Sequence, residues 1–152
     1  INLGSVLLQS GLAGEAKDVF MQVIAANSKS EKALTGIASC FLAEGKKREA
    51  HDHFARALDI NIHNATAIYY LVKCAYELKT YATATRLVEH YIESNPINAN
   101  LMYSLAGLQY HLGRMQDSNR SLDRVLTMNP EHKGAKELKT ILARYESTAQ
   151  TV

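Results

Sequence analysis

The chain has 152 residues, long enough for one domain or a short array of repeats with a sizeable buried core. Its composition is 47% hydrophobic and 21% charged with two prolines, which excludes a disordered chain and favours ordered, helix-rich structure. Net charge is +2 with both signs interspersed, so there is no electrostatic footprint for nucleic acid or a membrane surface. No apolar run approaches the roughly 20 residues that span a bilayer.

Shifting the sequence by 34 residues brings like residues into register along its length, so the predicted elements fall into copies. The first copy, residues 1–30, has Leu3-Gly4-x2-Leu7, a turn glycine at Gly11, then Ala16-x3-Phe20 with Val23 and Ile24. Its opening residues would precede Ile1, so Ile1 is expected inside a helix, with further repeats or another domain upstream.

The second copy, residues 31–64, places Leu34, Ile37, Ala38 and Phe41 on one stripe. These i, i+3, i+4, i+7 spacings predict a helix with one buried face. After Gly45, the residues Ala50, Phe54, Ala57 and Leu58 predict a second helix. The run Lys46-Lys47-Arg48 is a solvated turn, since Glu44 and Glu49 flank it. His51 and His53 point in different directions on a helix and make poor joint metal ligands. Together with His63, His90 and His132 they read as surface histidines.

The third copy, residues 65–98, carries Ile68, Leu71, Val72 and Ala75, with Lys79 in place of the turn glycine, then Ala84, Val88, Tyr91, Ile92 and Pro96. Val72 and Tyr91 are large where the other copies carry smaller residues, and Tyr91 predicts a local change in helix spacing or hairpin angle. The fourth copy, residues 99–132, has Met102, Leu105, Ala106 and Gln109, then Gly113, Ser118, Leu122, Val125, Leu126 and Pro130. Residues 133–146 form a capping helix, with Ala135, Leu138, Leu142 and Tyr145 inward and charges outward. Residues 147–152 lack periodicity and are expected to be a disordered tail. Cys40 and Cys74 stand at equivalent places in consecutive copies, beyond disulfide reach, and read as buried thiols in a reducing, cytoplasmic setting. Two glycosylation sequons, at Asn64 and Asn119, matter only in a secreted eukaryotic protein.

Period and pattern resemble the tetratricopeptide repeat, W-x2-L-G-x2-Y, then A-x3-F, then P. The matching segments are Leu3-Gly4-x2-Leu7 with Ala16-x3-Phe20, Ile37-Ala38-x2-Phe41 with Ala50-x3-Phe54, Leu71-Val72-x2-Ala75 with Ala84-x3-Val88, and Leu105-Ala106-x2-Gln109 with Ser118-x3-Leu122. The resemblance implies an all-α fold, a right-handed superhelical array of antiparallel helix hairpins. It also implies that the first helices line a concave, partner-binding groove.

On that expectation the groove residues are Tyr69, Tyr70, Lys73 and Tyr76 of the third copy and Asn100, Tyr103, Tyr110 and His111 of the fourth. Tyrosine joins a rigid apolar ring to a hydroxyl at low entropic cost. The second copy offers Lys32, Thr35, Gly36, Ser39 and Leu42, a smaller and blander surface. Tyr69, Tyr76, Tyr103 and Tyr110 also stand where tyrosines commonly help pack the repeat. The lysine and asparagine cluster that clamps acidic chaperone tails is missing, with Ser5, Gly36, Thr66 and Tyr70, or Thr35, Ser39, Asn100 and Ser104, at its places. No phosphate loop, nucleophile elbow or paired-carboxylate site stands out, and no cofactor or metal is implied.

The reading is a non-catalytic protein-interaction scaffold or adaptor that holds a peptide or partner domain in its groove. The alternatives are a chaperone or assembly factor of a secretion or pilus system, and a module that self-associates through its amino-terminal edge.

Overall fold

The computed structural model describes residues 1–151, and all regular structure among them is α-helical. The helices are α1 (Asn2–Gln9), α2 (Ala13–Ala26), α3 (Glu31–Ala43), α4 (Lys47–Ile60), α5 (Ala65–Leu78), α6 (Tyr81–Ser94), α7 (Ala99–His111), α8 (Met115–Met128) and α9 (Lys133–Ala149). They pack as sequential hairpins. Close approaches divide the chain into two compact units, one of α1–α6 (Ile1–Ser94) and one of α7–α9, from Asn95 onward.

Local chemistry sets the helix boundaries at the same phase each time. A short side chain before the first helix of a hairpin accepts a hydrogen bond from the backbone N–H three residues on. Ser30 Oγ caps Ala33 at 3.3 Å, Asn64 Oδ1 caps Ala67 at 2.9 Å, and Asn98 Oδ1 caps Leu101 at 2.8 Å. The cap satisfies one of the donors a helix start leaves open. His132 does the same through Nδ1, accepting from Ala135 N at 3.1 Å. Within three of the hairpins the chain reverses through a residue with positive φ, Gly11 at 80° and Gly45 and Gly113 at 75°. Lys79 holds the equivalent place at φ 57°, a left-handed conformation that L-residues with a Cβ adopt at a cost.

In the first unit the core runs through the small-and-large alternation of each hairpin. Ala16, Ala38, Ala50, Ala75 and Ala84 are fully buried and let the helices close in, while Phe20, Phe54, Leu58, Leu71 and Leu87 fill the space between them. Phe20 lies under two glycines. A Cβ on Gly4 would come within 2.7 Å of its ring, and one on Gly36 within 2.5 Å. The third hairpin is looser, with α5 and α6 approaching much less closely than α3 and α4. The cause is bulk at the contact, where Val72 stands in place of Ala38 and the partly exposed Tyr91 in place of the buried Ala57.

The second unit closes its hairpin with polar groups. Ser118 Oγ donates to the Ala106 carbonyl at 2.7 Å, and Ser121 Oγ donates to Gln109 Oε1 at 2.8 Å, both bonds being buried. Leu105, Leu108, Leu122, Val125, Ala135 and Leu142 complete this core.

Two expectations need correction. His51 is buried, not a surface residue. Only Nδ1 has a partner, Asp52 Oδ1 at 3.3 Å, and Nε2 is enclosed without a hydrogen bond. The reason is position: His51 shares its phase with Thr85, also buried, on a face of the second helix that the stacking covers. The capping helix does not stop at residue 146. Serine and threonine hydroxyls turn back onto helix carbonyls, as Thr148 Oγ1 does onto Tyr145 O at 2.9 Å, and α9 runs on to Ala149. Val152, part of the expected tail, lies outside the described residues. Ile1 occupies the N-cap position of α1, directly before its first residue.

Candidate functional site

The first helices of the first unit, α1, α3 and α5, line two open clefts. One, about 560 Å³, has walls from Ser5, Thr35, Gly36, Ser39 and Thr66, with Phe20 beneath and Glu31 and Lys32 at the rim. The other, about 470 Å³, lies between Leu42, Lys47, Tyr70, Lys73 and Glu77. Leu8 and Ser39 belong to both, so the clefts adjoin.

Local packing fixes several side chains of this surface. Tyr70 stacks on Phe54, with ring centroids 5.6 Å apart and planes 14° from parallel, and Tyr69 meets Tyr70 edge-on at 5.0 Å. Tyr69 remains 63% exposed, an apolar ring left in solvent. Lys47 reaches Glu77 at 2.6 Å, which holds the Glu77 carboxyl below its ordinary range. Lys73, one turn beyond Tyr70, is exposed. At the other end Glu31 accepts from Asn61 Nδ2 at 3.2 Å and from Asn64 Nδ2 at 2.6 Å. That amide is engaged, so the Asn64 sequon has no free acceptor side chain. Cys40 and Cys74 are buried and free, and burial pushes both thiols up, away from nucleophilic character.

The eight residues expected at the groove divide between the units. Tyr69, Tyr70, Lys73 and Tyr76 lie along α5, and Asn100, Tyr103, Tyr110 and His111 along α7. Within the second unit two of these rings pack against α9 and its cap. Tyr103 meets the His132 imidazole at 4.7 Å and lies against Gly134, where a Cβ would come within 2.6 Å. Tyr110 meets Tyr145 edge-on at 6.3 Å, and its hydrogen bond with Tyr145 pushes the phenol up. Asn100 and His111 are exposed.

By sequence the second copy offers a smaller and blander surface, yet the larger of the two clefts opens there. The available signal was a comparison of phase mates. Gly36 and Thr35 stand where α5 has Tyr70 and Tyr69. Among the described residues no group of three or more metal-ligating side chains comes together, and no helix is long and apolar enough to cross a membrane.

Stacked helical hairpins with this phase define a tetratricopeptide-type repeat array. Residues 1–65 match the family model described as tetratricopeptide repeat, and the described helices pack as a TPR-like array of hairpins. No curated protein matches it. Solved structures do. YrrB, described as a TPR protein with an unusual peptide-binding site, superposes with TM-score 0.81 at 18% identity, covering 97% of this chain and 76% of YrrB. MamA superposes with TM-score 0.71 at 15% identity, over 97% of this chain and 86% of its own. The first TPR domain of human RPAP3 gives 0.63 at 16% identity, over 80% and 95%. At these identities the likeness is one of fold.

Proposed function

We propose that the chain is a non-catalytic interaction module that holds a peptide or a partner's extended segment on the first-helix surface of its first unit. The observation that carries this reading is the pair of adjoining clefts sharing Leu8 and Ser39, which form a continuous surface across three first helices. A groove of this kind suits an extended chain, which lays backbone and alternate side chains along it. Lys73 in the lining of the smaller cleft offers a cation to the ligand, and the exposed Tyr69, edge-on to the lining Tyr70, offers a ring beside it. YrrB is described as having a peptide-binding site, and a related domain, the first TPR of Spaghetti, was solved bound to an HSP90 peptide, SRMEEVD. Both precedents support a peptide as ligand. The test is affinity capture with the native chain and with a Tyr69→Ala/Lys73→Glu variant of equal helicity. Partners retained by the first and lost by the second support the reading. Identical partner sets move the site elsewhere.

One observation favours self-association as a second reading. Leu3 and Val6 of α1 are 61% and 58% exposed, whereas their phase mates Ile37 and Cys40 are 3% and 0% exposed. A face with core chemistry stands in solvent, which invites apolar burial against another copy. Light scattering across a concentration series, with Leu3→Asp as control, separates an associating chain from a monomer.

A further inference from the structure

The helices α3, α5, α7 and α9 each begin on a side-chain cap at the same phase of the repeat, and only the last cap is a titrating side chain. Ser30, Asn64 and Asn98 cap α3, α5 and α7 with a hydroxyl or an amide oxygen, at 3.3, 2.9 and 2.8 Å. At the fourth place His132 caps α9, its Nδ1 accepting from Ala135 N at 3.1 Å. A ring nitrogen accepts only while it carries no proton, so this contact requires the neutral imidazole with its proton on Nε2. Histidine is the side chain whose charge ordinarily changes between about pH 5 and 8.

The surroundings offer little to an imidazolium. The Asn64 amide meets Glu31 and Thr35, and the phase mates of those two beside His132 are Ala99 and Tyr103. Among the described residues no carboxylate lies within ion-pair distance of the His132 ring. Glu131, its chain neighbour, is paired with Lys136 at 2.9 Å. From α8, Asp123 reaches α9 at Lys139, 2.5 Å away and about two turns beyond the cap. Lys133 and Lys136, in the first turn of α9, add positive charge where the helix dipole is already positive. Tyr103 of α7, its ring centroid 4.7 Å from the imidazole and tilted by 47°, is the one neighbour that favours a cation. That single tilted contact opposes the lost hydrogen bond, the dipole and two lysines together.

We propose that His132 is a proton-sensitive latch on the terminal helix: neutral, it secures the first turn of α9, and protonated, it lets that turn fray. The turn carries two close contacts. Gly134 lies against Tyr103, where a Cβ would come within 2.6 Å, and Ala135 is fully buried. Fraying on mild acidification frees the Tyr103 ring and opens the end of the second unit. Leu142, buried further along, keeps the rest of α9 in place. The contribution of the latch is complete where the imidazole is neutral and disappears as the ring takes up its proton.

The test is amide hydrogen exchange of the full chain, resolved by residue at about pH 7.5 and about pH 5.5, with each rate divided by the intrinsic rate at that pH. Protection at Ala135, Lys136 and Glu137 should fall by about fivefold at the lower pH, the scale of one lost N-cap, while α3 keeps its protection. Nitrogen shifts of the His132 ring should report the Nε2–H tautomer at the higher pH. His132→Asn restores the cap of α5 and α7 without a titrating group, so it should keep the protection and lose its pH dependence. His132→Ala should show the low protection at both pH values. A native chain whose α9 protection ignores pH overturns the latch, as does a His132→Asn variant that falls in step with it. An equal fall in α3 overturns it too, because the responsible proton then acts on the fold as a whole. Should His132→Asn fold poorly, the native titration and the ring tautomer still decide, since an Nδ1–H tautomer cannot cap α9.

Discussion

Asn64 Nδ2 lies 2.6 Å from Glu31 Oε2, joining the start of one hairpin to the start of the next. The same amide nitrogen donates to Thr35 Oγ1 at 3.0 Å, while Asn64 Oδ1 accepts from Ala67 N at 2.9 Å. One side chain therefore caps α5 and ties it to α3, so the groove wall and the helix boundary depend on a single residue.

Asn64→Ala removes the cap and both inter-helix bonds, at a cost of about 1–2 kcal/mol in urea unfolding. Asn64→Asp keeps the cap but sets a second carboxylate against Glu31, so it should also destabilise. Glu31→Gln should relieve Asn64→Asp and not Asn64→Ala. A double-mutant cycle measures this, and an additive result would mean that the two side chains do not interact.

Lys79→Gly should stabilise the chain. Lys79 holds φ 57° in the turn between α5 and α6, where the other turns place glycine. Relief of the left-handed strain, about 1–2 kcal/mol, exceeds the entropic cost of a glycine, about 0.5–1 kcal/mol. A rise in thermal midpoint is the expected reading, and a fall would show that the lysine side chain holds something the turn needs.

Gly36→Ala should destabilise by about 1–3 kcal/mol, because the new methyl overlaps the Phe20 ring at 2.5 Å and the ring is held by Gly4 on another side. Phe20→Leu, the residue at the same phase in α8, should recover part of that loss in the Gly36→Ala background while costing stability by itself. Thermal melts of the four proteins test this.

Acid should weaken the turn between α3 and α4. Hydrogen bonds from Lys17 and then Lys46 hold the Glu44 carboxyl below its ordinary value of 4.5. A carboxylate whose folded value is depressed contributes fully above its unfolded value, and the contribution disappears as pH falls through the folded one. Stability referenced to neutral pH should therefore fall on acidification less steeply in Glu44→Gln than in the native chain. Parallel curves would remove Glu44 from the account. Salt should shrink the difference, since the three side chains are near the surface.

The repeat was legible because its evidence is redundant. Ala50 and Phe54 mean little by themselves, but Ala16 with Phe20 and Ala84 with Val88 repeat the pattern at one spacing, and tertiary packing then follows from helical periodicity. Polarity misled where burial depends on neighbours. His51 reads as a surface residue until the stacked helices enclose it. The groove was harder to read, because what a tyrosine does depends on the next helix: Tyr103 turns against Gly134 and His132, while Tyr69, its phase mate, stays in solvent. Gly36 reads as an empty place, and its lack of a side chain is what lets the Phe20 ring pack against the helix, 2.5 Å from where a Cβ would stand.

Gln109 shows how such a departure is accommodated. It interrupts an apolar stripe, yet it is only 4% exposed and its Oε1 accepts from Ser121 Oγ at 2.8 Å, inside the hairpin of α7 and α8. The pair changes together relative to the second and third copies, where Phe41 or Ala75 stands in place of Gln109, and His53 in α4 or Leu87 in α6 stands in place of Ser121. Removing one member is therefore worse than removing both. Ser121→Ala takes away a buried donor and should cost about 1–3 kcal/mol, whereas Gln109→Met with Ser121→Ala replaces the pair by apolar groups and should recover most of the loss. Urea unfolding of the two single variants and the double variant decides it. A double variant no more stable than Ser121→Ala would mean that Gln109 contributes through its other contacts, not through this bond.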